Sequence, residues 1–133
     1  MSRERIEREL EHLAAGGQRA EYIAEGRPLV LYRNIPAAGA ALGLPALTDV
    51  VVPVPDGYPA SMIDLAGLPL GSPLIPKVKG GSNSQGIVTA DGRQWQLGSY
   101  HPHNGGGGPA WDQRRHGFHT YFDHLLAWLD RLI

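Results

Sequence analysis

Asp49-Val50-Val51-Val52-Pro53-Val54-Pro55-Asp56-Gly57-Tyr58-Pro59 is the stretch that decides the fold. Its run of valines fits a pleated, half-buried surface, so it predicts a strand over residues 49–54. Asp56-Gly57 then signals a turn. The same character extends in both directions. Between residues 34 and 76 there is no basic residue, the only charges are Asp49, Asp56 and Asp64, and eight of the eleven prolines fall there. Prolines are confined to strand ends and edges, so this middle region is expected to form the sheet. Upstream, residues 21–24 and 28–32 read as strands around a Glu25-Gly26-Arg27 turn. Downstream, residues 61–70 and 74–78 are weaker strand candidates bounded by prolines. Residues 87–89 and 94–97 form a hairpin across Ala90-Asp91-Gly92-Arg93, a recognised turn signal. Gly80-Gly81-Ser82-Asn83-Ser84 reads as a flexible loop.

Helices bracket the strands. Ile6, Leu10 and Leu13 recur at i, i+4 and i+7 and predict a helix over residues 2–15, ended by Gly16-Gly17. Its charged residues, Glu7 with Glu11 and Arg5 with Glu9, are expected on the exposed face as ordinary surface charge. This thin apolar stripe also leaves open that the helix recruits a partner. At the other end Phe118, Phe122, Leu125, Leu129 and Leu132 trace a helical stripe, widened by Tyr121 and Trp128. The order helix, antiparallel strands, Gly/His-rich loop, helix is an α+β layout, expected as one domain over residues 1–133. Leu42, Leu44 and Leu47 are expected to be buried, with an oligomer contact as the alternative.

Composition narrows the classes of function. Twelve Lys and Arg against thirteen Asp and Glu give a formal net charge of -1 over 133 residues. That balance offers no general field for nucleic acid or an acidic membrane. No apolar run approaches the roughly 20 residues that span a bilayer. Met1-Ser2-Arg3-Glu4-Arg5 reads as a charged helix start and not a secretory signal, so a cytoplasmic protein is expected. The chain has no cysteine. Disulfides, thiolate metal sites and a cysteine nucleophile are therefore excluded.

Five of the six histidines, His101, His103, His116, His119 and His124, crowd one segment. His101-Pro102-His103-Asn104 leads into four glycines, Gly105 to Gly108, which let another chain approach the backbone closely. His101 and His103, with His116, are candidate metal ligands, and His116 and His119 at i, i+3 would share a helix face. Against a metal, Pro102 disturbs a regular strand and no carboxylate lies beside His101. The alternative is a set of polar loop and helix-start residues, and no cofactor is expected. Ser99, close to His101, has no orienting acid and reads as a loop hydroxyl. Nucleotide-binding glycine motifs and a nucleophile elbow are absent from the sequence.

From Val54-Pro55-Asp56-Gly57-Tyr58-Pro59 onward the chain resembles the ubiquitin-conjugating (E2) superfamily. Tyr58-Pro59 is similar to that family's Tyr-Pro pair, in which the tyrosine packs the turn against the sheet. Pro73-Leu74-Ile75-Pro76 resembles the next strand. His101-Pro102 with Asn104 resembles the His-Pro-Asn element, and Trp111 resembles the tryptophan that closes the active-site loop. The resemblance covers the whole chain, and among bacterial branches it is most like prokaryotic E2 family E. It implies an antiparallel β-meander flanked by an N-terminal and a C-terminal helix. It also implies a ubiquitin-like conjugation pathway, with a ubiquitin-like protein or an E1-like protein as partner.

One departure bears on function. The family carries its cargo as a thioester, which needs a thiolate. Counting back from Trp111 by the family's separation lands on His103, and aligning on His101-Pro102 finds no cysteine either. Two readings follow. The chain is a non-catalytic, E2-like binding module using the loop from His101 to Trp111 and the first helix. Alternatively, His103 or His101, with Asn104 as an oxyanion or loop-orienting residue, serves an atypical histidine-dependent or metal-dependent enzyme. An acyl-imidazole hydrolyses far more readily than a thioester, which favours the first. A purely structural subunit is the third possibility.

Overall fold

The computed structural model describes residues 2–24, 26–37, 43–77, 86–99 and 110–131. Helix α1 spans Ser2–Ala15 and helix α2 spans Phe118–Arg131. Between them lie β1 (Ala20–Ile23), β2 (Leu29–Pro36), β3 (Leu47–Pro53), β4 (Leu65–Pro69), β5 (Ile87–Ala90) and β6 (Arg93–Ser99). The chain is therefore α+β, with an antiparallel sheet in the order β1-β2-β3-β4-β6-β5. The first four strands are sequential neighbours. The last hairpin enters with β6 against β4, which leaves β5 at the edge.

Helix α1 ends as its glycines dictate. Gly17 has φ +92°, and Gln18 N–H donates to Leu13 O at 3.0 Å while Gly17 N–H donates to Ala14 O at 3.0 Å. This double closure satisfies carbonyls that the last turn leaves without partners. The β5–β6 turn also follows its sequence, with Asp91 at φ 55° and Gly92 at φ 71°. In β2, Asn34 (φ 52°) sits where the register with β3 shifts between Tyr32 and Ile35. The extra residue restores Ile35 to the buried face beside Tyr32. Asn34 N–H donates to Asp49 Oδ1 at 2.8 Å there.

One face of the sheet carries the main core. Ile6, Leu10 and Leu13 of α1 and Phe118, Tyr121, Leu125 and Leu129 of α2 pack on Val30, Tyr32, Val50 and Val52. Tyr32 Oη–H donates to Phe118 O at 2.7 Å and Tyr121 Oη–H to Leu65 O at 3.1 Å, so both buried hydroxyls find partners. On the opposite face Leu29, Leu31 and Val51 meet Trp95, Leu97 and Ala90 of the last hairpin. The sheet curls to make this contact across β4, and Gly67 sits at the crease. A Cβ on Gly67 would lie 2.7 Å from Val51 Cγ2 and 2.8 Å from Leu97 Cδ2. Ion pairs close the curl, Arg33 to Asp91 at 2.8 Å and Arg93 to Asp49 at 2.7 Å.

Some expectations need correction. Residues 74–78 do not form a strand. Ile75–Lys77 is a short 3-10 helix, and Val78 lies outside the described residues. Pro73 and Pro76 remove two amide donors from this stretch, so a ladder is not sustainable, while Leu74 is still driven into the main core. The same finding overturns Pro73-Leu74-Ile75-Pro76 as the next strand. The candidate at residues 61–70 shortens to Leu65–Pro69. Ser99 ends β6 instead of lying in a loop. Leu44 packs against the core, Leu47 is 54% exposed, and Leu42 lies outside the described residues, as does the glycine-rich loop from Gly80 to Ser84. Among the described residues, no helix is long and apolar enough to cross a membrane.

Candidate functional site

Sequence reasoning placed Arg5 and Glu9 on the exposed face of α1. The structure corrects this. Glu9 is 7% exposed, packed under the start of α2. One oxygen, Oε1, accepts Tyr58 Oη–H at 2.6 Å and the Phe118 amide at 3.1 Å. The other, Oε2, accepts Arg5 Nε–H at 2.9 Å. Arg5 Nη2 then donates to the carbonyls of His116, at 2.9 Å, and Gln113. A single carboxylate thus joins α1, the Tyr58 turn and the amino end of α2. A carboxylate at a helix start is stabilised by the free amides and the helix dipole.

Glycine makes room for it. A Cβ on Gly117 would collide with the Glu9 carboxylate. The sequence carried a signal for this arrangement. Positions 6, 9, 10 and 13 form the i, i+3, i+4, i+7 face of a helix, and Glu9 occupies the i+3 position of an otherwise apolar stripe.

Tyr58 is buried and its ring meets Phe118 at 5.1 Å and Trp111 at 6.2 Å. It ties the turn to both helices as well as to the sheet core. Burial, followed by the hydrogen bond to Glu9, pushes the Tyr58 hydroxyl well above its usual range, so it remains a donor. The Tyr58-Pro59 peptide is cis. Pro59 O accepts Trp111 Nε1–H at 2.9 Å. Two motifs 52 residues apart in the chain are therefore in direct contact.

The histidines separate. His101, Pro102, His103 and Asn104 lie outside the described residues. His116 precedes α2 instead of sharing a helix face with His119. Its Nδ1 accepts the Asp112 amide at 2.9 Å and its ring lies 5.7 Å from that of Trp111. An imidazole accepting at Nδ1 carries its proton on Nε2. Among the described residues no group of three or more His, Asp or Glu has the arrangement to hold a metal ion.

His119, in α2, has its Nδ1 buried, 4.0 Å from Glu9 Oε2 and without a hydrogen-bond partner. Its ring sits edge-on to His12 at 5.4 Å. Burial depresses its proton affinity below the ordinary imidazole value, His12 and Arg5 add to that, and Glu9 and Asp123 oppose it. These two imidazoles, with Arg5, Arg8, Glu9 and Arg114, line a cavity of about 300 Å³ formed by α1, the first turn of α2 and the segment before it. Sequence reading had singled out neither this cavity nor His12.

No family model, curated protein or solved structure matches this chain.

Proposed function

We propose that this protein is a non-catalytic binding module of the ubiquitin-conjugating type. It receives a ubiquitin-like protein, or the E1-like protein that activates one, without carrying the cargo covalently. The supporting observation is the Trp111 Nε1–H bond to Pro59 O. It brings the Tyr-Pro turn and the tryptophan after the His-Pro segment together, as parts of one loop platform would require. A helix leading into sequential antiparallel strands agrees with the same order. The absence of cysteine from the chain removes the thioester step and leaves recognition as the task.

On this reading the binding surface includes Pro59 and Trp111, with the buried Tyr58 ring packed against Trp111. A second surface is the exposed face of α1, where Arg3, Glu4, Glu7, Arg8 and Glu11 mix both signs. Mixed charge of that kind sets register and encounter rate with a partner more than raw affinity. The protein acts in the cytoplasm, where its partners are made.

Calorimetric titration of the full chain against the ubiquitin-like and E1-like proteins of the same genome tests this reading. Saturable binding to at least one is expected. Trp111→Ala should weaken it by about tenfold or more, the usual weight of a buried aromatic anchor. Binding to neither protein would overturn the reading.

A further inference from the structure

Independently of that reading, we propose that the cavity lined by Arg8, His12, Arg114 and His119 is a binding site for a phosphoryl-type oxyanion. Some of the charges in the cavity are already paired. Among the described residues Glu9 is the only carboxylate in its lining, and its oxygens are occupied by Tyr58, the Phe118 amide and Arg5. Arg5 is equally committed, to Glu9 and to the carbonyls of Gln113 and His116. The pair is an internal brace and cancels itself.

What faces the opening is therefore cationic. Among the described residues, the Arg8 and Arg114 guanidinium groups form no ion pair. His12 and His119 lie beside them with rings 5.4 Å apart, and His119 Nδ1 is buried without a hydrogen-bond partner. Two free guanidinium groups match the charge of a phosphate dianion, and two imidazoles supply donors from other directions. A single carboxylate would leave half of that charge uncompensated. The donors come from three places in the fold: α1, α2 and the segment between Trp111 and α2. The cavity, at about 300 Å³, has room for more than a bare phosphate.

The charges facing His119 are Arg5, Glu9 and His12 from α1 and Asp123 from its own helix, with Arg114 on the cavity wall. A bound dianion would favour its protonated form, so occupancy raises the proton affinity of the His119 imidazole.

The test is titration of the full chain with inorganic phosphate at constant ionic strength, followed by imidazole proton resonances and by thermal midpoint. Saturation is expected, with shifts of the His12 and His119 resonances. Arg8→Ala and Arg114→Ala should each weaken binding by about tenfold, as loss of one charge-assisted contact does. Arg8→Lys should recover part of it, and Arg27→Ala, at an exposed position outside the cavity, should change nothing. A parallel titration with glycerol 3-phosphate separates sources, since a tighter ester marks an organic phosphate ligand and equal affinity marks the free anion. A response to phosphate no different from chloride would overturn the proposal. So would saturation that survives both arginine-to-alanine changes.

Discussion

Glu9 shows how much one residue can decide. Its carboxylate serves a hydroxyl, a backbone amide and a guanidinium at once, so its removal strands three donors. Glu9→Ala is expected to lose about 3–5 kcal/mol of stability in a denaturant titration, the scale for breaking a buried charged pair. Tyr58→Phe removes one charge-assisted bond and should cost about 1.5–3 kcal/mol. If Glu9→Ala proved as mild as a surface change, the brace would carry no weight. His119 provides a pH signature. Its folded proton affinity is depressed, chiefly by burial, so its contribution is complete above the unfolded imidazole value near 6.5 and fades as pH falls through the folded value. Stability in phosphate-free buffer should therefore decline on acidification in that window, and His119→Gln should flatten the decline. Much of this was hidden in the sequence. An Arg5–Glu9 pair at i, i+4 looks like surface charge until Glu9 is seen to interrupt the buried stripe of Ile6, Leu10 and Leu13.

At the scale of elements, local chemistry was the better guide. Helix α1, its glycine stop, the valine strand β3 and the Asp91-Gly92 hairpin all follow from side-chain period and turn preference, which act over a few residues. Residues 74–78 have the apolar content of a strand, but Pro73 and Pro76 deny the ladder its donors. Leu74 is buried all the same, which shows that burial and strand pairing are separate demands. Gly67 carries a tertiary demand that no local pattern displays. Gly67→Ala would place a methyl group between Val51 and Leu97, so it should destabilise by about 1–3 kcal/mol, the range for overpacking. A chemical denaturation midpoint unchanged by this substitution would mean that the sheet does not crease there.

For the whole molecule, the α+β layout was legible, but the strand order was not. Alternation specifies which face is buried, not which neighbour a strand finds, so the reversed entry of β5 and β6 was invisible in the pattern. The functional reading has the same division. Tyr58-Pro59 and Trp111 are recognisable as motifs, whereas their contact through Pro59 O emerges only from the fold. The role proposed for this surface is recognition, since the sequence has no thiol to carry a thioester. The most direct test is mass spectrometry of the chain mixed with the ubiquitin-like protein, the E1-like protein and ATP, under native and then denaturing conditions. The account predicts a non-covalent complex under native conditions that separates into unmodified chains on denaturation. An ATP-dependent covalent adduct on this chain, or no complex at all, would contradict it.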